Sequence, residues 1–482
     1  MGLPLPEASS KRTPWELLLL LAGGPAVPQP PRTYDINGDG YHDLLLSEPD
    51  GGASNGGRAM VYYGSASGIA SVTVGAGATG AASVFQGPTN ALMGNALAVG
   101  DINGDGYADA VVAAYRYPNV TDQGAVYIFY SQGASGIAGQ DLQAGGSAGA
   151  TLLGESAGDS FGRSIYVGDY NGDGFADVAV LATGYGSFGR IYVFLSDGSS
   201  GIQSQSAAGA DVIVSGGTNT RLQITINALV LADVNGDGRE DLAACAIDVP
   251  NSLFTLAVIH SDSRTTIDLG AGDSPNTSIS AAFLAGAFCI RGLAAGDANG
   301  DGYADILGSA YDYDAGSGGN QGQVYLFLSG GPAGITATSP SQANTILSGS
   351  GTIRFGILSG MADINGDGFD DLLIGERTAP TPQHLYIFHG SSSGVAGKNL
   401  FTGDFADTQL DDGPDGLTDW LGAGDYNGDG YFDLVTSNTQ NSEDLWIFQG
   451  SSSGIANGTP SAADTVLSDV NVGGGGAIYF PP

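Results

Sequence analysis

A nine-residue pattern, Asp-x-Asn-Gly-Asp-Gly-x-x-Asp, is repeated along the chain at nearly even spacing. Successive copies start 62 to 68 residues apart. A period of this size indicates a repeat architecture in which each unit is one small supersecondary structure. The fold must therefore hold seven equivalent units. The seven copies begin at Asp35, Asp101, Asp169, Asp233, Asp297, Asp363 and Asp425.

The pattern places side-chain oxygens at positions 1, 3, 5 and 9 of a tight loop. In the first copy these belong to Asp35, Asn37, Asp39 and Asp43, and the backbone carbonyl of Tyr41 at position 7 adds a fifth. Calcium takes roughly six to eight oxygen ligands of these kinds, and the glycines at positions 4 and 6 permit the positive φ that such a loop needs. The sequence therefore predicts seven calcium sites. Their ligands are Asp35, Asn37, Asp39, Tyr41, Asp43; Asp101, Asn103, Asp105, Tyr107, Asp109; Asp169, Asn171, Asp173, Phe175, Asp177; Asp233, Asn235, Asp237, Arg239, Asp241; Asp297, Asn299, Asp301, Tyr303, Asp305; Asp363, Asn365, Asp367, Phe369, Asp371; and Asp425, Asn427, Asp429, Tyr431, Asp433.

Three other interpretations fit the pattern less well. Asn-Gly-Asp-Gly favours turns without any metal, but turn chemistry does not require the same four oxygen positions in every copy. Magnesium prefers near-octahedral geometry and retained water. An EF-hand needs Glu at position 12 and flanking helices, and no copy has this acid. Position 12 is Leu46, Val112, Val180, Ala244, Gly308, Ile374 and Thr436.

The charge balance excludes several classes of partner. The chain has 50 acidic and 14 basic side chains, a formal net charge of −36. Seven calcium ions would reduce this only to about −22, and such a field repels nucleic acids and anionic membranes. After the leader, no apolar stretch of about twenty residues predicts a transmembrane helix.

The first 32 residues differ in composition from the rest. Lys11-Arg12 precede the apolar run Leu17–Ala22, which small residues follow. This order predicts a secretory signal peptide, with a disordered, proline-rich leader as the alternative. Cys245 and Cys289 lie in apolar runs, so we expect buried free thiols. A single disulfide between adjoining units, which would suit an oxidising compartment, is the alternative.

From Thr33 to the end of the chain, each unit predicts four strands. One strand leads into the loop, a short apolar run leaves it, and a third strand such as Arg190–Leu195 alternates aliphatic and aromatic residues. A weaker fourth strand, such as Asp211–Val214, completes the unit. Seven such units predict an all-β, seven-bladed β-propeller of four-stranded antiparallel blades over residues 33–482. We expect the C-terminal strand Ala477–Phe480 to pair with the first blade and close the ring.

The sequence resembles the FG-GAP repeat, the unit of the N-terminal propeller of integrin α subunits and of many secreted bacterial proteins. The resemblance lies in a Phe-Gly-like strand such as Phe161-Gly162, the nine-residue loop, and a Gly-x-Tyr-x-Phe-like strand. It implies calcium in the loop that joins the first two strands of each blade. In integrins only some blades carry metal, on the face opposite the ligand. The fourth unit departs most, with Arg239 at position 7 and a third strand at Phe254–His260 that lacks the Gly-x-Tyr start.

The sequence offers no convincing catalytic site. His42 lies in a loop, and His260, His384 and His389 lie on or just after strands. Three Gly-x-Ser-x-Gly segments lack the strand–turn–helix context of a nucleophile elbow. We therefore predict no catalytic residues and no enzymatic activity.

Aromatic residues after the second strands are candidates for partner binding, because loops on the rim of a rigid fold commonly carry function. Filling gaps between blades is an equally good role for them. We predict a secreted or cell-surface, monomeric, calcium-binding scaffold for protein partners in an adhesive role. A lectin-like propeller that binds glycans is the alternative, followed by a carbohydrate-active enzyme. The candidate aromatic residues are Tyr115, Tyr117, Tyr185, Tyr311 and Tyr313.

Overall fold

Seven sheets whose principal strands are antiparallel follow one another along the chain, and each sheet is one blade of a β-propeller. The computed structural model describes residues 34–51, 55–75, 77–118, 121–222, 229–282, 288–314, 319–351, 353–377, 383–411, 420–437 and 444–470. The predicted seven-bladed propeller is therefore confirmed. The predicted closing strand Ala477–Phe480 lies outside the described residues.

The principal strands run in order from the centre of the ring outward. The fourth blade has an inner strand in two pieces, which both pair with the next strand. The strands are β1 (Leu44–Glu48), β2 (Arg58–Tyr62) and β4 (Ser83–Gln86); β5 (Leu97–Gly100), β6 (Asp109–Ala114), β7 (Ala125–Phe129) and β9 (Ala150–Leu153); β10 (Phe161–Gly168), β11 (Asp177–Ala182), β12 (Arg190–Phe194) and β14 (Val212–Ser215); β15 (Thr220–Arg221), β16 (Leu229–Ala232), β17 (Asp241–Asp248), β18 (Leu253–Ile259) and β20 (Thr277–Ala282); β21 (Phe288–Gly296), β22 (Asp305–Ala310), β23 (Gln323–Phe327) and β24 (Thr345–Ser348); β25 (Leu358–Ala362), β26 (Asp371–Gly375), β27 (His384–Phe388) and β29 (Thr408–Asp411); and β30 (Trp420–Gly424), β31 (Asp433–Ser437), β32 (Leu445–Phe448) and β33 (Thr465–Ser468).

The burial pattern of the strands explains their sequences. All six residues of β6 are buried, because a second strand has a neighbouring blade on each face, and the five residues after Asp109 are accordingly apolar. The outer strand β9 instead alternates buried and half-buried residues, as expected for a strand with only one face in the core. Short 3-10 helices lie in the connections, at Tyr185–Ser187, Gly198–Ser200, Ala207–Gly209, Gly331–Ala333, Pro340–Gln342, Leu400–Thr402 and Pro460–Ala462.

In the described part of the chain, short additional strands join five of the seven blades to the one before them. β8 (Gln140–Asp141) leaves the second blade and pairs in parallel with β4, the outer strand of the first. The same parallel pairing closes the ring, because β3 (Val72–Thr73) of the first blade pairs with β33 of the seventh. The other strands of this kind are β13 (Gln205–Ser206), β19 (Thr266–Asp268) and β28 (Lys398–Asn399).

Among the described residues, seven hydrophobic cores fill the spaces between adjacent blades. The core between blades two and three packs Phe161 and Ile165 of β10 against Val111 and Ile128. The space between blades seven and one is filled in the same way, where Leu44 meets the strand that carries Val435. The ring is thus closed by apolar packing of the kind found at every other junction.

The two cysteines form a disulfide, so the expectation of free thiols was wrong. Cys245 on β17 bonds Cys289 on β21, with a Cα–Cα separation of 5.8 Å. Both residues are buried in the core between blades four and five. The bond therefore links these two blades covalently. No helix in the described part of the chain is long and apolar enough to cross a membrane.

Leu44→Ala should test whether the closing junction is as well packed as the others. Leu44 and Leu372 each follow the ninth residue of a loop and are fully buried, at junctions 7–1 and 5–6 respectively. Each substitution by Ala should lower the free energy of unfolding by about 2–5 kcal/mol, since each leaves a cavity in a packed core. Equilibrium denaturation measures the free energy of unfolding of both variants. If Leu44→Ala lowers it only slightly while Leu372→Ala lowers it as expected, the ring is open at the closing junction.

Candidate metal centres

In blades two to seven, each loop joins the first and second strands of its blade, and the loop of the first blade leads into β1. The loop that begins at Asp101 follows β5 and leads into β6, and its Gly104 and Gly106 have φ of +66° and +88°. Because neighbouring strands of a blade are antiparallel, all seven loops lie at the same end of their sheets. The predicted ligands are thus collected on one face of the ring, one group in each blade.

Within each loop, side-chain oxygens accept hydrogen bonds from the loop's own backbone. In the second loop, the two carboxylate oxygens of Asp101 accept from the N–H groups of Asp105 at 3.0 Å and Gly106 at 2.8 Å. The Asn103 amide oxygen also accepts from Asp105, and the Asp105 carboxylate accepts from Tyr107. The same bonds recur in the fourth loop, where Arg239 occupies position 7. The unusual side chain therefore leaves the backbone of that loop unchanged.

The ninth residue of each loop is buried and ties the loop to the rest of its blade. Asp109 accepts from the N–H of Ile102 within the loop and from that of Ser131, just after the third strand. Burial raises the pKa of Asp109 to about 8, and the carboxylates of Asp105 and Asp101 add to the effect. The pKa is likewise raised to about 7 in Asp43 and Asp433, and to about 8 in Asp177, Asp241, Asp305 and Asp371.

This donor set fits a hard cation. The predicted ligands of each loop are three carboxylates, one amide oxygen and one carbonyl, with no nitrogen or sulfur donor, and Ca²⁺ takes oxygen ligands of these kinds. A cation would also offset the cost of ionising the buried ninth carboxylate among its acidic neighbours. In the part of the chain that the structure describes, however, His, Cys, Asp and Glu side chains do not converge in threes at ligand distance. The carboxylates instead engage backbone amides.

The chain matches the FG-GAP repeat family over residues 93–129, 161–194, 291–327 and 418–454. Each matched segment runs from a first strand through the nine-residue loop to a third strand. The chain is an FG-GAP repeat β-propeller. This bears out the resemblance seen in the sequence.

The FG-GAP propeller is similar to segments of two kinds of larger protein. It is 35% identical to phosphatidylinositol-glycan-specific phospholipase D of Bos taurus over 158 residues, which are 31% of this chain and 18% of that protein. It is 35% identical to integrin alpha-3 of Mus musculus over 109 residues, 22% of this chain and 10% of that protein. The chain thus matches less than a fifth of the length of either relative. A solved structure, the Dos1 propeller, is 10% identical with a TM-score of 0.38 and covers 71% of this chain and 64% of its own.

The structure places the histidines in separate parts of the propeller. His42 accepts a hydrogen bond from the backbone of Asp425. His384 lies between the carboxylates of Glu376 and Asp411, and its Nε2 is 3.3 Å from Asp411. In the first blade the corresponding ends of the second and third strands carry the buried ion pair Glu48–Arg58. This correspondence favours a structural role for the His384 cluster. Sequence reasoning missed the cluster because Glu376, His384 and Asp411 belong to three strands or their ends, which only the fold brings together.

The candidate tyrosines are half-buried, and several of them have ring faces covered by their own chain. The guanidinium of Arg163 lies 4.6 Å from the ring centre of Tyr115, and that of Arg190 lies 3.6 Å from the ring centre of Tyr185. Tyr117 and Tyr313 pack against the cores between blades. The rings therefore fill gaps, at least in part, and Tyr311 also has contacts of its own.

Gly104→Ala should destabilise the fold more than Gly106→Ala. Both glycines have positive φ, which costs an L-residue about 1–2 kcal/mol. An added Cβ at Gly104 would lie 2.1 Å from the Phe175 ring of the next loop, whereas one at Gly106 would meet nothing within 4 Å. Overpacking should add about 1–3 kcal/mol to the cost at Gly104.

Denaturation of a double-mutant cycle with Phe175→Ala isolates this contact, since coupled neighbours are non-additive. The Gly104→Ala penalty should fall toward that of Gly106→Ala when the ring is removed. Equal penalties in both backgrounds would show that the ring does not press on the glycine.

Proposed function

We propose that this FG-GAP propeller is a non-enzymatic, calcium-binding scaffold outside the cell, which binds protein partners on the face away from its loops. One observation carries the proposal. Seven loops with the same oxygen donors and the same hydrogen bonds are collected on one face of a closed ring. A fold that repeats one ion-binding geometry in every blade uses the ions for rigidity, and the opposite face is left for recognition.

Bound calcium would contribute substantially to stability. A site filled at a free ion concentration 100-fold above its Kd stabilises the folded state by about 2.7 kcal/mol. Several such sites together would match the whole stability of an ordinary domain, about 5–15 kcal/mol. Asp35, Asn37 and Asp39 would hold the ion in the first blade, with the carbonyl of Tyr41 and the buried Asp43. The equivalent residues would serve in each other blade.

An extracellular location is supported by the covalent link between blades four and five. A structural disulfide persists in oxidising compartments and is rare in the cytosol. Cys245 and Cys289 are both buried, which is typical of a structural rather than a catalytic pair. The order of residues in the leader agrees with secretion.

The face opposite the loops carries two neighbouring arginines, the exposed Arg116 and the half-buried Arg163. Tyr115 and Arg116 follow the second strand of blade two, and Arg163 on β10 stacks on the same tyrosine ring. Within the described residues, neither arginine lies within ion-pair distance of a carboxylate. Planar guanidinium groups with free N–H donors suit the carboxylates of an acidic protein segment. We therefore infer that this cluster contributes to partner binding.

Protein ligands are favoured over glycans by the covered tyrosine rings. Sugar binding by stacking needs an open aromatic face, and Tyr115 and Tyr185 already have guanidinium groups over theirs. The glycan-binding alternative therefore depends on other residues.

Removal of calcium should lower the melting temperature strongly. Protein purified in calcium should hold about seven equivalents, and EGTA should remove them together with most of the thermal stability, because the ions bind only the folded state. Elemental analysis and thermal melting with and without EGTA measure this. Magnesium at the same concentration is the control and should restore little. Far fewer than seven equivalents, together with melting indifferent to EGTA, would contradict the proposal.

Replacing both Arg116 and Arg163 with Ala should reduce capture of protein partners from a surface extract of the source organism. The control is Arg264→Ala, which removes an exposed guanidinium paired with Asp262 in a connection on the loop face. Quantitative pull-down should show at least a several-fold loss for the double variant and none for the control. Equal capture by both variants would exclude this cluster from the binding surface.

A further inference from the structure

The seven loops are hydrogen-bonded to one another in a closed circle. In each case the backbone N–H at position 8 of one loop donates to the backbone carbonyl at position 1 of the loop in the preceding blade. The link also crosses the closing junction, from the first blade to the seventh. The seven bonds are Ala108 to Asp35 (3.0 Å), Ala176 to Asp101 (3.1 Å), Glu240 to Asp169 (2.9 Å), Ala304 to Asp233 (2.9 Å), Asp370 to Asp297 (3.0 Å), Phe432 to Asp363 (3.4 Å) and His42 to Asp425 (3.0 Å).

The side chain at position 7 of each loop also contacts the loop in the preceding blade. The residue at position 7 lies over the first glycine of the preceding loop, so closely that a Cβ on Gly38 would fall 2.2 Å from the Tyr107 ring. Six of these residues are aromatic, and the seventh is Arg239, whose Cγ would lie 2.9 Å from a Cβ on Gly172. The other aromatic pairs are Phe175 over Gly104, Tyr303 over Gly236, Phe369 over Gly300, Tyr431 over Gly366 and Tyr41 over Gly428.

Each inter-loop hydrogen bond joins groups that belong to two predicted metal sites. The N–H of Ala108 and the carbonyl of Tyr107 are the two ends of one peptide group, and that carbonyl is a predicted ligand of the second site. The N–H of Ala108 donates to the backbone carbonyl of Asp35, and the carboxylate of Asp35 is a predicted ligand of the first site. A cation on the carbonyl would polarise the peptide and strengthen its N–H as a donor, because hydrogen bonds in a chain reinforce one another.

We propose that the seven loops bind calcium as one coupled ring, in which occupation of a loop raises the affinity of its two neighbours. This inference rests on the proposed calcium binding. In it the position-7 side chain is a positioning residue for the preceding loop, because its ring packs on that loop while only its backbone faces its own site. The junction between the third and fourth loops is the weakest link, since Arg239 supplies an aliphatic stem instead of a ring.

Native mass spectrometry of the full chain, titrated with calcium alone, tests the coupling. The spectrum counts molecules that carry zero to seven ions at each calcium concentration. If each bound ion raises the calcium affinity of a neighbouring loop about fivefold or more, the number of ions per molecule should be distributed more widely than a binomial. Half-filled molecules should then be depleted. A binomial or narrower distribution that still reaches seven ions would overturn the coupling and leave calcium binding intact. Failure to reach about seven ions would refute the proposed function instead.

Two substitutions with a matched control test the position-7 side chain. Tyr107→Ala removes no predicted ligand atom. It should nevertheless narrow the distribution of ions per molecule and raise the calcium concentration at which half of the sites are filled by about twofold or more. Tyr107→Phe keeps the ring and should behave as wild type. Arg239→Phe should widen the distribution by completing the aromatic circle. Unchanged distributions for both Tyr107→Ala and Arg239→Phe would show that the side chains do not transmit the coupling.

Discussion

The propeller depends on the backbone hydrogen bonds that the buried ninth residue of each loop accepts. Asp109 is buried at the start of a second strand, where it accepts backbone hydrogen bonds from its own loop and from the turn after the third strand. One side chain thereby fixes three strands of the blade at a single point. A buried carboxylate is costly unless it is hydrogen-bonded or near a cation, and the sequence repeats this costly group seven times. The stability of each loop therefore depends on how well the charge of its buried carboxylate is offset, and a bound cation would offset it.

The sequence contains the local part of this structure in readable form. The loop positions, the buried second strands and the alternating outer strands follow from turn chemistry and hydrophobic pattern, and Arg190–Phe194 lies within the predicted Arg190–Leu195. Contacts between blades were not predictable in the same way. The Cys245–Cys289 bond depends on a distance between two strands of different blades, which residue spacing does not contain. The aromatic residues at position 7 were visible as a regularity, but their partner glycine lies one repeat away, so only the structure shows the contact.

Electrostatics separates the two faces of the ring. The loop face gathers three carboxylates from each blade, whereas several of the few arginines lie at the other end of the strands. Some of these are satisfied by carboxylates, as in Arg190–Glu155 and Arg58–Glu48, and others stack on tyrosines. A strongly acidic protein that leaves guanidinium groups on one face can distinguish partners by charge there, while the opposite face repels the same partners.

The disulfide between blades four and five makes one of the seven junctions different from the rest. Noncovalent packing and hydrogen bonds hold the other junctions, including the one where the first and seventh blades meet. Under a pulling force, the cross-linked pair of blades must move as one body. Separation of the blades can then begin at only six of the seven junctions, and reduction of the disulfide makes the seventh junction available.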